Sequence, residues 1–169
     1  MYSTSARALA VARPVIQFLT VLNIVYGACI SLLLVFSFFI KGWPQTPLGD
    51  FASTHPQLPN GLRVVVLLGV VGAVIGHTIL RRLLAIVDTV RSGDPFILEN
   101  ARRLTAIAWS VLALEVLRLI VASIISTVWE AGRIDGFSIA PWFAVLMLFV
   151  LAGVFSQGAR MRADLEGTV

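Results

Sequence analysis

Charged side chains are scarce in this chain. They make up 13% of its 169 residues, against about 25% in an average soluble domain. Hydrophobic residues fill 58% and the mean hydropathy is +0.92, too apolar for a core that must still be wrapped in polar surface. The same figures exclude an intrinsically disordered chain. Cysteine is nearly missing: Cys29 stands alone inside an apolar run. An internal disulfide and a CxxC redox pair are therefore excluded, and with them a thiol-oxidising membrane enzyme. Histidine is almost as rare. His55 and His77 lie far apart with no acidic or cysteine companion at ligand spacing, so no metal signature is present. A bis-histidine haem site fails too, because only His77 falls in an apolar run. A Gly-rich phosphate loop, a GxSxG elbow, an HExxH pair and an intramembrane carboxylate dyad are all absent from the sequence. No cofactor is expected, the polar segments are too short for a catalytic domain, and the chain reads as non-enzymatic.

What the chain has is four long apolar runs, covering residues 15–40, 62–80, 104–129 and 139–157. Each matches the roughly 20 residues that cross a hydrocarbon core of about 30 Å. The first holds no charge, is too long for a signal-peptide core and lacks a small-residue cleavage site, so it is expected to be retained. The predicted fold is all-α: one integral membrane domain over 1–169, a four-helix bundle with a cytoplasmic amphipathic loop at 81–103 and an external Pro-rich loop at 41–61.

Basic residues set the orientation. Arg7, Arg13, Arg81, Arg82, Arg91, Arg102, Arg103, Arg160 and Arg162 fall on one side, whereas Lys41, Arg63 and Arg133 fall on the other. Both termini and the middle loop are thus expected in the cytoplasm. Trp43, Trp129 and Trp142 lie at the outer ends of the spans, where amphipathic rings favour the interface. The net charge of +4 then belongs to a surface facing anionic lipid. The expected partner is the bilayer, and no direct nucleic-acid contact is needed.

The external loop 41–61 carries Pro44, Pro47, Pro56 and Pro59, which favour an extended, turn-rich path; His55 reads as a solvated loop residue. The short connection 130–138 makes the last two spans an antiparallel hairpin. In the middle loop Leu80, Leu83, Leu84, Val87 and Val90 recur at helical spacing, with Arg81, Arg82, Asp88 and Arg91 on the other face. The second helix should therefore run beyond the bilayer. Ser92-Gly93 should stop it, and Asp94-Pro95 should restart a helix as N-cap and first helical residue. Glu99 is placed for a weak surface pairing with Arg102 and Arg103.

Glu115 and Arg118 are the sharpest feature of the third span. An ionisable residue at mid-bilayer costs at least about 2.5–3.5 kcal/mol on insertion scales and needs a partner. Their i, i+3 spacing and the lean of helical side chains toward the helix N-terminus let the two pair within one helix. At about 1.5 Å per residue, Glu115 lies about 16 Å deep and Arg118 about 21 Å. Asn23 and Tyr26 fall about 12 and 16 Å deep in the first span, within reach of leftover carboxylate lone pairs. The group reads either as a proton or cation site or as a self-neutralised pair that fixes helix register. His77, about 5 Å from its span's cytoplasmic end, reads as a helix-end histidine, with a pH sensor as the alternative. Gly72 and Gly76, and the series Asn23, Gly27 and Ser31, mark close packing, within the chain or in a homodimer.

The stretch Arg91-Ser92-Gly93-Asp94-Pro95-Phe96-Ile97-Leu98-Glu99-Asn100-Ala101-Arg102-Arg103-Leu104 resembles the signature of a small bacterial membrane family, domain of unknown function 2975. The ending from Gly158-Ala159-Arg160-Met161-Arg162 to Val169 is similar to that family's C-terminal motif, and the four-span layout agrees. The resemblance carries over no activity and no catalytic residue. Because family members are often encoded beside a short helix-turn-helix regulator, it implies a protein that senses an envelope condition or sequesters a repressor. Asp94, Pro95, Phe96, Glu99, Asn100, Arg102 and Arg103 would then face a cytoplasmic DNA-binding regulator. Alternatively, the motif merely caps and orients the third helix.

The leading expectation is accordingly a regulatory or sensory protein of the bacterial inner membrane, acting through its cytoplasmic loop and tail. One lysine against twelve arginines fits a GC-rich bacterial genome. A small oligomeric ion- or proton-coupled transporter using Glu115 is the alternative, and an assembly subunit of a larger complex is a third reading.

Overall fold

A computed structural model describes residues 3–40, 43, 58–128 and 138–166. Among them every regular element is helical: α1 (Ser3–Phe39), α2 (Leu58–Arg91), α3 (Leu98–Val128) and α4 (Ile139–Glu166). All four are long and apolar enough to cross a membrane. Most of the Pro-rich loop with His55 and Lys41, together with Trp129, Arg133, the rest of the connection 130–137 and the ending 167–169, lies outside the described residues.

The helices outrun the apolar segments that nucleate them. At about 1.5 Å per residue, α4 is about 42 Å long and α1 about 56 Å, against a hydrocarbon core of about 30 Å. Because consecutive helices run antiparallel, the excess collects at one end: the start of α1, the end of α2, the start of α3 and the end of α4. Pro59 and Pro141 each sit in the first turn of their helices, where a missing N–H costs nothing.

Extensive packing joins only helices consecutive in sequence: α1 with α2, α2 with α3, and α3 with α4. Small side chains dominate the contacts. Of the buried apolar residues Ala73, Ala101, Leu104, Ile107, Ala108, Val145 and Ala152, four are alanine. Large apolar side chains such as Phe18, Phe38, Leu146 and Met147 point outward. This distribution suits helices in lipid, where tails are as apolar as leucine and close backbone approach holds helices together. Gly72 and Gly76 serve two different neighbours. A β-carbon on Gly76 would stand 3.2 Å from Asn23 Nδ2 of α1, and one on Gly72 would stand 3.4 Å from Leu117 Cδ2 of α3.

α2 ends in a Schellman turn. Gly93 adopts φ +93°, a region that suits glycine because it lacks a β-carbon. Its N–H donates to the Val90 carbonyl at 3.2 Å, and Asp94 N–H donates to the Thr89 carbonyl at 3.1 Å, which together satisfy orphan carbonyls of the last turn. The restart falls later than Asp94-Pro95 predicts. Residues 94–97 are non-helical and α3 begins at Leu98. The reason is that Asp94 and Phe96 are both engaged by α4, which draws this stretch out before the helix can close.

Candidate functional site

The end where the four helices overshoot is a folded unit. Asp94 Oδ1 accepts a hydrogen bond from Arg162 Nη1 at 2.7 Å, linking the α2–α3 turn to the tail of α4. Two residues on, the Phe96 ring lies 5.2 Å from that of Phe155, centroid to centroid. Phe96 also covers Gly158, where a β-carbon would come within 2.9 Å of its Cδ1. On the other flank, Arg13 of α1 meets Asp88 of α2 at 3.1 Å.

Asn100 is the hub beneath this surface. It is fully buried. Its Nδ2 donates to Thr89 Oγ1 at 2.7 Å and to the Pro95 carbonyl at 3.0 Å, while its Oδ1 accepts from Arg103 Nη1 at 2.9 Å. Thr89 in turn donates to the Ile86 carbonyl at 2.7 Å. The end of α2, the turn and the start of α3 are thereby tied through one side chain. Of the residues expected to face a partner, Asn100 is turned inward and Arg103 is held by Asn100 and, at 3.8 Å, by Glu99. Arg102 and Glu99 are exposed, as is part of Phe96. The inward turn of Asn100 has a sequence signal: it shares helical spacing with Ala101, Leu104, Ile107 and Ala108, the buried stripe of α3.

The arginines divide into two groups. Arg63 Nη2 donates to the Ser37 carbonyl in the last turn of α1 at 2.8 Å, with its guanidinium 4.7 Å from the centroid of the Phe38 ring. Arg82 Nη1 donates to the Ala106 carbonyl at 3.1 Å and lies 3.2 Å from Ser110 Oγ, clamping α2 to α3. The count of basic residues assigns each only to a side of the membrane, and helical spacing puts Arg82 on the polar face of the α2 extension; the contact of Arg82 with α3 departs from that expectation. Arg81, Arg91, Arg102 and Arg160, by contrast, are exposed and make no ion pair or side-chain hydrogen bond among the described residues.

In the middle of α3, Arg118 turns back on Glu115. Its Nε donates to Glu115 Oε2 at 3.0 Å and its Nη2 to Oε1 at 2.5 Å, so both carboxylate oxygens are held by one fork. The Glu115 side chain is 5% exposed and that of Arg118 is 42% exposed. Arg118, Tyr26 and Asn23 line one groove of about 470 Å³ between α1, α2 and α3. Asn23 itself is committed to α2, donating to the Ala73 carbonyl at 3.2 Å. Neither Asn23 nor Tyr26 hydrogen-bonds Glu115 among the described residues. His77 lines the α1–α2 seam with Asn23 and Gly27, and its buried Nδ1 has no hydrogen-bond partner there.

The class so defined is an all-helical protein with four helices long and apolar enough to span a membrane, joined at one end by a packed turn and tail. Over residues 4–169 the chain matches the family described as protein of unknown function, DUF2975, and it belongs to that family. No curated protein and no solved structure matches it.

Proposed function

We propose that the chain is a non-enzymatic, four-span protein of the bacterial inner membrane that works as a regulatory or sensory partner. Its termini and the segment 81–103 lie in the cytoplasm, as the bias of basic residues supports. It acts through the surface that loop and tail build together, on a cytoplasmic helix-turn-helix regulator that it holds without touching nucleic acid itself.

The observation that carries this reading is the docking of Phe96 on Gly158 with the Asp94–Arg162 clamp beside it. A segment that only joined two spans would need no contact with the tail of α4. The docked unit presents a surface that Arg160 lines; Arg160 and Arg91, the latter three residues before Asp94, are exposed and make no ion pair among the described residues. Exposed charges at a rim steer and select partners at little cost to the fold.

Co-purification from native membranes in mild detergent tests it. A small DNA-binding protein recovered with the wild type and lost with Arg91→Glu/Arg160→Glu supports the proposal. An unchanged set of partners after that reversal removes the role of the surface. Arg103 is unsuitable for this purpose, since its reversal would break the Asn100 hub. The alternative, an oligomeric transporter, draws on the groove beside Arg118. Against it, both oxygens of Glu115 are already occupied. Cation flux in reconstituted vesicles that disappears with Glu115→Gln would reinstate it.

A further inference from the structure

Trp109 is the one tryptophan away from the external boundary that Trp43, Trp129 and Trp142 mark in the sequence. It projects from α3 with 60% of its surface exposed and packs edge-on against Phe149 of α4 at 5.4 Å. It also lines a surface groove of about 510 Å³ between α3 and α4. Arg102, Thr105 and Trp109 supply one wall and Ser156, Gly153 and Phe149 the other, in antiparallel order. Along the helix axis the groove is therefore graded: a cation and a hydroxyl at one end, a glycine gap in the middle, two aromatic rings at the other end. A β-carbon on Gly153 would meet nothing within 4 Å, so the middle is open space. Neither Arg102 nor Ser156 uses its side-chain donors on the described residues, whereas the Thr105 hydroxyl donates to the Ala101 carbonyl at 3.0 Å.

The two ends, Arg102 and Trp109, are seven residues apart on α3, about 10 Å along the axis. That is the step from a headgroup phosphate into the upper acyl chains. We propose that this groove is a binding site for an anionic phospholipid. Arg102 and Ser156 receive the phosphate, and an acyl chain lies over Gly153 against Trp109 and Phe149. Basic pockets between helices at the cytoplasmic boundary take anionic headgroups in this way. A guanidinium offers the donors that phosphate geometry requires, and the aromatic end of the groove selects a lipid over a free anion. The site rests on the membrane reading given above. It supplies that reading with a signal, the anionic lipid content of the surrounding leaflet.

The test is fluorescence quenching of the full chain in phosphatidylcholine vesicles containing chain-brominated lipid, with either a phosphatidylglycerol or a phosphatidylcholine headgroup. The difference between wild type and Trp109→Phe isolates Trp109. Quenching by the anionic lipid should exceed that by the zwitterionic one about fivefold, the size of one arginine–anionic-lipid attraction. Arg102→Gln should bring the two to parity, Gly153→Leu should fill the groove and protect Trp109, and Arg91→Gln should leave the preference intact. Should a variant misfold, unbrominated phosphatidylglycerol should still relieve the quenching of wild type where phosphatidylcholine does not. Equal quenching of wild-type Trp109 by both headgroups overturns the site, as does a preference that survives Arg102→Gln. Quenching of the other tryptophans but not of Trp109 gives the groove to a polypeptide, a second copy included. Quenching of none shows that the helices are not in the bilayer, and the membrane reading falls with the site.

Discussion

Phe96 Cδ1 stands 2.9 Å from where a β-carbon on Gly158 would be, closer than non-bonded carbons pack. The turn between α2 and α3 can lie on the tail of α4 only because residue 158 has no side chain. Gly158→Ala should therefore push the ring off the helix, at an overpacking cost of about 1–3 kcal/mol, read as a lower midpoint of thermal unfolding in detergent and faster proteolysis near residue 94. In a Phe96→Ala background the clash is gone and the same change should stabilise slightly, by the about 0.5–1 kcal/mol that alanine gains over glycine inside a helix. A double-mutant cycle with no coupling would show that the two residues do not support each other.

Asn100 should matter more to stability than any exposed charge near it. Asn100→Ala strands the Pro95 carbonyl, takes from the Thr89 hydroxyl one of its two partners and releases Arg103. A polar group left unpaired costs about 1–3 kcal/mol when fully buried, and the half-buried Pro95 carbonyl bears part of that. Asp94→Asn weakens a half-exposed ion pair worth about 0–1 kcal/mol. Unfolding midpoints should rank Asn100→Ala far below Asp94→Asn, with Arg102→Gln close to wild type. The reverse ranking would mean that the ion pair, not the buried hub, holds the turn.

The four helices were legible because apolar length is a one-dimensional signal that survives any ignorance of packing. The extension of α2 to Arg91 and its stop at Gly93 were legible for a related reason: amphipathic spacing and a glycine in the left-handed region are local. The start of α3 was not. Asp94-Pro95 has the local chemistry of a helix start, but Arg162 and Gly158, more than sixty residues downstream, recruit Asp94 and Phe96 for another purpose. Arginine roles were hidden in the same way. Counting places Arg63 and Arg82 on a side of the membrane, but only the register between helices sends them to Ser37 and Ala106. In α1, where nearly every face is apolar, periodicity cannot tell the packed face from the outward one. The polar and small residues Asn23 and Gly27 mark the contact with α2 instead.

The pairing of Glu115 with Arg118 predicts a particular pattern of variants. Removing one partner leaves a charge without compensation, whereas replacing both with apolar residues removes charge and desolvation together. Glu115→Leu and Arg118→Leu alone should each lower the thermal midpoint and the yield of inserted protein. The double variant should recover most of both. If it is instead worse than either single change, the pair supplies the helix contacts of α1, α2 and α3 with something that neutrality alone does not.

Arg63 makes a separate prediction at the opposite end. Its Nη2 closes the Ser37 carbonyl in the last turn of α1, where orphan carbonyls and the negative end of the helix dipole both favour a cation. Such contacts are worth about 0.3–1 kcal/mol, too little to unfold the chain but enough to fray one turn. Amide exchange over residues 35–40 should accelerate in Arg63→Gln by up to about fivefold, which is that energy expressed as an opening equilibrium, while exchange at the Asn100 hub stays unchanged. Arg63→Lys should recover only part of the protection, since an ammonium keeps the charge but not the planar guanidinium stacked on Phe38. Protection of 35–40 that is indifferent to both changes would show that α1 ends there without help from α2.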